Sequence, residues 1–347
     1  MRKYLSGSAA IAALLAGACA TAHADSYVPV PMVPGAASET AFGINDDNVV
    51  TGGYTDSAGV EHGFVGPLDG SNWATFDFPG AAGTEPRAIV QDGTITGFAT
   101  ANGFQIGEEF YRSATGTLKA IKKDKQPLDG VAQGLSTLDV NVGDYYDAEG
   151  IRQGYLATRG KYTKDFALHI KGWTQNSPRG ITGQNVVAGY FIDKNGAEHG
   201  FIQAGSKDQI IDYPNKSATL TVLEDVQNIS DKIYVSGQWD DTAGNPHGFV
   251  LNTASNEFTD LDPKDGSTFQ QAWGMNGHSL VALSTSNGTS FIYCPYKKKF
   301  KCPQGGMEAS VSTVRVAAGT FLRHDVYGRT ERTLPAVNTV LKHGKIQ

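Results

Sequence analysis

Short runs of alternating apolar and polar residues, broken by polar turns, fill the chain from about residue 40 to residue 296. The first block contains the runs "TAFGIN", "VVTGGYT", "VEHGFVG" and "WATFDFP". They are separated by Asp-Asp-Asn, Asp-Ser-Ala-Gly and Leu-Asp-Gly-Ser, which are typical of hairpin turns. Alternation with a period of two predicts strands, and no long stretch has the periodicity of a helix. The block therefore predicts four antiparallel strands.

The block recurs six times at a nearly constant period. One anchor position in the second run is occupied by Tyr54, Phe98, Tyr145, Tyr190, Trp239 and Leu283, which lie 44, 47, 45, 49 and 44 residues apart. A second anchor keeps the same register at Phe64, Tyr111, Tyr155, Phe201, Phe249 and Phe291. Four strands at a period near 45 residues are typical of a propeller blade. We predict an all-β fold: a six-bladed β-propeller of four-stranded antiparallel blades over residues 25–306.

The two ends of the repeat region predict how the ring closes. The early segment "VPMVPGAASETAFGI" resembles "ATFDFPGAAGTEPRAI", which ends the first block and leads into the second. Residues 27–34 thus resemble an outermost strand, whereas the last block (272–296) has only three clear strands. We expect the N-terminal strand to close the last blade and remove the open sheet edges. Residues 307–347 form a C-terminal extension, which could be an extra strand pair, a loose extension or a decayed seventh blade.

The first 24 residues have the pattern of a secretory signal peptide. Arg2 and Lys3 precede a short apolar stretch (8–18), and Ala22-His23-Ala24 is a small-x-small cleavage site. We expect export, to the extracellular space or the periplasm, with Asp25 as the mature start. Lipoprotein anchoring through Cys19 is the weaker alternative. No later segment is apolar over the ~18 residues that a membrane span needs, so we expect no transmembrane segment.

Charge and cysteine content narrow the classes of partner. The formal net charge is −6, and removal of the first 24 residues, which hold two positive and no negative charges, makes it −8. An acidic chain argues against nucleic acid as a partner. Cys294 and Cys302 then remain as a pair, which in an exported chain predicts a disulfide. A zinc site would need further Cys or His residues nearby.

One motif between the second and third runs suggests a metal site at first sight. "GGYTDSAGVEHGF" (52–64) returns at 188–201 and 236–249, with a worn copy at 143–155. A calcium loop needs several oxygen ligands at alternating positions, whereas each copy supplies one sure carboxylate. Asp followed by Gly suits a tight turn, and copies in different blades lie far apart. We predict structural roles, with no metal and no cofactor, for Asp56, Asp147, Asp193 and Asp241 and for His62, His199 and His247.

The segment "GINDDNVVTGGYTDSAGVEHGF" and its copies resemble the HAF-type extracellular repeat proteins of bacteria. These carry a Gly-Ile-Asn start, a Val-Val-Gly-Tyr core and a His-Ala/Gly-Phe end. The resemblance covers residues 41–297, and the second and sixth copies lack His-Gly-Phe. It implies export and a β-rich repeat fold. It implies no agreed activity and brings no catalytic residues.

Candidate binding residues precede the "Gly-Ile"-like dipeptide that begins each block. They differ from copy to copy: Phe42, Arg87, Gln133, Arg179, Gln227 and Trp273. Because propellers bind ligands where the innermost strands meet at the channel mouth, these side chains could hold an anionic or sugar-like ligand by bidentate bonds and stacking. The alternative is that they only pack between blades.

Catalytic motifs are scarce, since the chain has no G-x-S-x-G, H-E-x-x-H or P-loop sequence. No spacing selects a pair of carboxylates for a glycosidase. We therefore favour a monomeric binding or interaction protein for a glycan, a small anionic ligand or a protein partner. A channel-mouth hydrolase or lyase acting on a glycan or lactone, and a purely structural envelope component, stay open as alternatives.

Overall fold

The computed structural model describes residues 26–262, 268–286, 288–295, 302, 323–324 and 330–331. The predicted signal peptide, Cys19 and most of the extension 307–347 lie outside these residues. The described residues form 28 strands and no helix. None of them forms a helix with the length and apolar composition that a membrane span requires.

The strands follow the predicted runs in chain order. The first strand is β1 (Ser26–Pro29). The first two blocks are β2 (Ser38–Ile44), β3 (Val49–Thr55), β4 (Glu61–Pro67) and β5 (Ala74–Phe76), then β6 (Gly83–Ile89), β7 (Ile95–Thr100), β8 (Glu108–Arg112) and β9 (Leu118–Ala120). A short ribbon of β10 (Lys122–Lys123) and β11 (Gln126–Pro127) precedes the third block, which is β12 (Gly130–Leu135), β13 (Val140–Tyr146), β14 (Arg152–Thr158) and β15 (Lys161–Asp165).

The second half of the chain continues in the same way. The fourth and fifth blocks are β16 (Trp173–Ile181), β17 (Val186–Asp193), β18 (Glu198–Ala204) and β19 (Lys207–Ile211), then β20 (Leu220–Ile229), β21 (Lys232–Asp240), β22 (Pro246–Asn252) and β23 (Glu257–Asp260). The sixth block has three strands, β24 (Phe269–Met275), β25 (Val281–Thr285) and β26 (Ser290–Cys294). Two short strands, β27 (Arg323–His324) and β28 (Thr330–Glu331), pair with each other.

These strands form small antiparallel sheets in a propeller-like arrangement. Hydrogen bonding gives four-stranded sheets for the fourth, fifth and sixth blocks, a six-stranded sheet for the third and an eight-stranded sheet for the first two. The expectation of six separate four-stranded sheets is therefore wrong. Two blocks merge through one parallel pair, Glu61 of β4 with Gly83 of β6. The ribbon β10–β11 widens the third sheet because Lys122 pairs with Lys161.

The first strand of each block lies on the inside, and these inner strands form a ring. Each of β2, β6, β12, β16 and β20 contacts the next, and β24 contacts β2. Strand β1 pairs antiparallel with β26, from Ser26 opposite Cys294 to Pro29 opposite Phe291. The N-terminal strand therefore completes the last sheet, as predicted, and pairs an edge that would otherwise be open.

Strand pairing corrects the register of the repeat. The aromatic residue of each third strand lies opposite a glycine of the second, except in the sixth block: Gly52–Phe64, Gly97–Phe110, Gly143–Tyr155, Gly189–Phe201, Gly237–Phe249 and Leu283–Phe291. The anchor Tyr111 is one residue off, since Phe110 holds this position. A Cβ on Gly52 would lie 2.0 Å from the Thr40 carbonyl oxygen and 2.8 Å from the Phe64 ring. A glycine is thus required at this position because a side chain would clash with both the neighbouring strand and the ring.

The predicted disulfide is confirmed. Cys294 ends β26, and its Cα lies 5.8 Å from that of Cys302. Cys294 is fully buried in the cluster that also contains Val28 of β1. The Ser26 hydroxyl donates to the Sγ of Cys302 at 3.1 Å. The bond therefore lies at the junction between the first and last strands.

Candidate functional site

A cavity of about 100 Å³ lies where the inner strands end, around the axis of the ring. All six residues that the sequence singled out contribute to its lining: Phe42, Arg87, Gln133, Arg179, Gln227 and Trp273. The structure thus brings together side chains that lie up to 231 positions apart in the chain.

A β-bulge positions most of these side chains. In the first four inner strands, the pairing register skips one residue, and that residue is Phe42, Arg87, Gln133 or Arg179. A bulge bends the strand and turns its extra residue out of the ladder, which here directs the side chain toward the axis. In β24 the irregularity spans Trp273 and Gly274. The small residue of the "Gly-Ile" dipeptide allows the close approach, since a Cβ on Gly43 would lie 3.2 Å from the Arg87 carbonyl oxygen.

The fifth inner strand departs from the prediction. Its bulge falls between Leu223 and Asp225, so Glu224, not Gln227, is the equivalent of Arg87 and Arg179. The reason is a longer hairpin: Ile44 pairs with Val50 six residues later, whereas Val226 pairs with Val235 nine residues later. The sequence "NI" at 228–229 imitates the dipeptide three residues too late. Counting back ten residues from Gly237, the offset that separates Phe42 from Gly52, also gives Gln227, so this alignment does not find Glu224.

Arg87 is buried, with 7% of its surface exposed, and is held between rings. Its guanidinium carbon lies 4.6 Å from the centre of the Phe42 ring and 4.8 Å from that of Trp273. Its Nη2 lies 2.7 Å from Glu85 Oε1. Burial lowers the pKa of Arg87, while the charge of Glu85 acts in the opposite direction. Its Nε and Nη1 have no hydrogen-bond acceptor within the part of the chain that the structure describes.

Arg179 is equally buried but is paired across blocks. Its Nη1 lies 3.4 Å from Glu224 Oε2, and its guanidinium carbon lies 5.2 Å from the centre of the Tyr190 ring. Glu224 Oε1 also accepts from the Gln271 amide at 2.9 Å. Burial opposes the charged form of Arg179, but Glu224 and Tyr190 outweigh it and raise its pKa. Each of the two cavity arginines is therefore paired with a carboxylate.

Gln227 has a bridging role at the rim. Its amide nitrogen donates to the Met275 carbonyl oxygen at 2.7 Å. Asp225, beside it, accepts from the amides of Met275 and Val226, both at 2.7 Å. Burial raises the pKa of Asp225 to about 6, although these amides act in the opposite direction. These contacts join the fifth and sixth blocks, so Gln227 is a structural residue that also lines the cavity.

The aromatic pair packs around Arg87. Phe42 and Trp273 meet edge to face, with ring centres 4.7 Å apart, and both contact the Arg87 guanidinium. The Trp273 indole nitrogen donates to Ser284 Oγ at 3.1 Å. These rings orient Arg87. The Gln133 amide, by contrast, has no hydrogen-bond partner among the described residues. It lines the cavity on β12, the inner strand between those that carry Arg87 and Arg179.

Beneath Arg87 lies a pair of acidic side chains. Glu61 hydrogen bonds with Glu85, and burial together with the charge of Glu85 raises the pKa of Glu61 well above its usual range. Burial therefore disfavours the charged form of Glu61 beside Glu85. This arrangement holds the partner of Arg87 in place from below.

The repeated Asp and His residues lie away from the cavity, in the hairpins between second and third strands. Asp56 Oδ1 accepts from the amides of Ala58 and Val60 at 2.8 and 2.9 Å, and Gly59 has φ +83°. This is the predicted tight turn. Asp147, Asp193 and Asp241 bond to their own turns in the same way.

Each histidine of the motif lies between two aspartates and packs against an aromatic side chain. His62 Nδ1 is 2.8 Å from Asp77 and its Nε2 is 3.5 Å from Asp56. The rings of Tyr54 and His62 have centres 5.1 Å apart. His199 repeats this with Asp212, Asp193 and Phe191, and His247 with Asp262, Asp241 and Trp239. No three metal-binding side chains gather in the described parts of the chain.

Comparison with known proteins gives a fold likeness only. No family model matches the chain, and no curated protein matches it. Among solved structures, a streptogramin B lyase is 11% identical, with 79% of this chain and 98% of that chain covered and a TM-score of 0.43. A TolB from Agrobacterium tumefaciens is 13% identical, with 75% of this chain and 91% of that chain covered and a TM-score of 0.48. An Aleuria aurantia lectin is 8% identical, with 78% of this chain and 100% of that chain covered and a TM-score of 0.43. Likeness at this level does not establish what the chain binds.

Proposed function

We propose that this chain is an exported, monomeric binding protein that holds a small anionic ligand in the axial cavity. We count one blade for each inner strand. The eight-stranded sheet contains two inner strands, β2 and β6, and therefore comprises two blades. On this count the propeller has six blades. We also propose that it is a HAF-type repeat protein. The signal-like pattern of residues 1–24 and the disulfide support export.

Arg87 is the observation that carries the proposed function. A buried guanidinium with unsatisfied N–H groups costs free energy, about 1 to 3 kcal/mol for each group left without a partner. The chain nevertheless holds Arg87 in place with Phe42, Trp273 and Glu85, at the wall of a cavity. A negative charge in that cavity would be attracted to the Arg87 guanidinium in its wall. Anion binding is the function that this arrangement supports best.

Binding is favoured over catalysis because the cavity carboxylates are already engaged. Glu224 is paired with Arg179 and Gln271, and Asp225 accepts two backbone amides. A general base needs a free lone pair within reach of its substrate. The hydrolase or lyase alternative therefore has less support.

The test is anion binding by wild-type protein and by Arg87→Met, which keeps the volume and removes the donors. We expect calorimetric titration with small anions to give saturable binding in wild type and none in the variant. Arg112→Met is the matched control, because Arg112 also stacks on a ring, 4.7 Å from Phe76, but does not line the cavity. Equal binding by wild type and Arg87→Met, with both folded by circular dichroism, would place the ligand elsewhere.

A further inference from the structure

A group of lysines lies where the outer strand of the second block meets that of the third. The segments 118–127 and 158–166 hold seven cations and two carboxylates, a formal charge of +5 in a chain whose total is −6. We infer that this group is a docking surface for an acidic polysaccharide. None of its residues lines the axial cavity, so the inference goes beyond the proposed function and does not rest on it.

The ribbon β10–β11 brings these lysines together. Lys122 of β10 is the parallel partner of Lys161 of β15. Lys125 follows in the turn of the ribbon. The side chain of Lys119, on β9, crosses Gly160, since a Cβ added there would lie 2.7 Å from the Lys119 Cε. With a further lysine on β15, these residues form what we call the lysine patch: Lys119, Lys122, Lys125, Lys161 and Lys164.

The charges of the lysine patch are available to a partner. All five of its side chains are exposed, and none of them forms an ion pair with a carboxylate in the described parts of the chain. The other two cations of the two segments are paired. Lys123 Nζ lies 3.0 Å from Asp165 Oδ1, and Arg159 Nε lies 3.2 Å from Asp139 Oδ2.

The contact between Lys122 and Lys161 is unfavourable in the protein alone. Like charges on directly paired strand positions repel each other. The ribbon that creates this contact has no counterpart among the described strands of the other blocks, so the repeat does not require it. An anionic partner bound across both side chains would offset the repulsion.

The charge of the remaining surface favours a flexible partner. The total is −6 and the two segments carry +5, so the rest of the chain carries −11. A broad and rigid anionic partner, such as a membrane or a DNA duplex, would also face these acidic parts, whereas a flexible polymer can contact the patch alone. None of the large exposed apolar residues that the structure describes lies in the two segments, which also disfavours a membrane.

The side chains of the patch favour carboxylates spaced along a polymer. Lysine is a point charge, whereas the planar fork of arginine suits bidentate recognition of phosphate. Lysines also lie over the rings beside the patch, 4.8 Å from the centre of the Tyr111 ring and 4.7 and 5.0 Å from those of Tyr145 and Tyr162. These ring faces are therefore occupied and do not offer the base stacking on which single-stranded nucleic acids depend.

The strand edge gives an acidic peptide less support than a polysaccharide. Extended peptides commonly bind by adding a strand to an open sheet edge. Here β10 already pairs with β15 at Lys161, so the main chain of this edge is used at the centre of the patch. A polysaccharide needs no main-chain pairing and contacts the lysine side chains alone.

The test is calorimetric titration of the full chain with polygalacturonate, a polymer of carboxylate-bearing sugars, at low salt. The patch variant is Lys122→Gln/Lys125→Gln/Lys161→Gln. We expect it to lose affinity by about tenfold or more, because each lysine near a polyanion contributes to the attraction. Its melting temperature should equal or exceed that of wild type, since the repulsion between Lys122 and Lys161 is removed. Added salt should weaken binding by wild type.

A matched control removes the same charge elsewhere. Lys207→Gln/Lys216→Gln/Lys232→Gln replaces three lysines that are exposed in other blocks. We expect its affinity for polygalacturonate to stay within about twofold of wild type, because screening limits each charge to its own neighbourhood. Equal losses in the two triple variants, or no saturable binding by wild type, would overturn the docking surface. Arg87→Met should bind polygalacturonate as wild type does, so a failure of this inference is distinguishable from a failure of the proposed function.

Further probes separate the polysaccharide from other partners. Dextran, which is uncharged, should not bind. Poly-glutamate, a short DNA duplex and phosphatidylglycerol vesicles should each bind more weakly than polygalacturonate. Tighter binding of any one of them, lost in the patch variant, would overturn the polysaccharide in favour of that partner. A molecular mass that rises with protein concentration at low salt in wild type, but not in the patch variant, would assign the patch to a second copy of this chain instead.

Discussion

At the hairpin ends of three blades the same residues make the same contacts, whereas at the axial ends the residue changes from each blade to the next. His62, His199 and His247 each bridge two aspartates of their own block. Around the axis, Arg179 bonds to Glu224 from the next block, and Arg87 lies between rings from two other blocks. Repetition at one end maintains the architecture. Variation at the other end, at a cost in buried charge, is what the proposed ligand site would account for.

The comparison predicts that contacts made once, between distant parts of the chain, stabilise the protein more than the repeated turns do. Glu224→Ala tests this at the axial end. It leaves Arg179 buried without its carboxylate, and we expect a loss of about 3 to 5 kcal/mol in the free energy of unfolding. Denaturant unfolding measures the loss. Asp77→Ala, at an exposed hairpin end, is the control, and a similar loss in both variants would contradict the comparison.

The disulfide is a second contact that is made once. It joins Cys294 to Cys302 next to the strand that closes the ring. Its removal in the double variant Cys294→Ala/Cys302→Ala should lower the free energy of unfolding by about 2 to 3 kcal/mol, as expected for a short loop. Thermal unfolding without reductant measures this. A melting temperature equal to that of wild type would show that the junction does not need the bond.

Glu39 ties the segment after β1 to the first blade, and its effect depends on pH. Its Oε2 accepts from the Val33 amide at 3.0 Å, and burial raises its pKa to about 7 although that amide acts to lower it. When folding raises the pKa of a carboxyl group, the protein is more stable at pH values below the ordinary pKa of 4.5 than at higher pH. That contribution is lost as pH rises through 7.

The variant Glu39→Gln removes this dependence. We expect it to be about 1 to 3 kcal/mol more stable than wild type at pH 8.5 and no more stable at pH 4. Denaturant unfolding at the two pH values measures the difference. Glu108→Gln, only partly buried at the start of β8, is the control. A constant difference between wild type and Glu39→Gln at both pH values would contradict the assignment.

The smallest effect is expected at a repeated turn. Burial works against the charged form of His62, but the hydrogen bonds and charges of Asp77 and Asp56 outweigh it and raise the pKa of the ring. A histidine with a raised pKa stabilises the fold below its ordinary value of 6.5, and this is lost as pH rises through the folded pKa. We expect His62→Gln to lower the melting temperature more at pH 5.5 than at pH 8.5. The corresponding loss in the free energy of unfolding should stay within the ~0.2 to 1 kcal/mol that solvent-accessible ion pairs contribute.

Much of the fold was predictable because strands and turns follow from neighbours in the sequence. The turn at Asp56 needs only its own amides and Gly59, so the pattern predicted it correctly. The merger of two blocks through Glu61 and Gly83 was not predictable, since one parallel pair leaves no trace in the alternation. All six predicted residues line the cavity, and five of them occupy the irregular position of their inner strand.

The sequence by itself determined the all-β repeat, the hairpin turns, the closing N-terminal strand and the cysteine pair. Each depends on local periodicity or on pairs with few alternatives. Only the tertiary structure decided that Glu224, not Gln227, stands at the fifth bulge, and that Phe42 and Trp273 hold Arg87. Strand register across a longer hairpin and contacts across a closed ring depend on residues far apart in the chain, and a repeat with a period near 45 does not encode them.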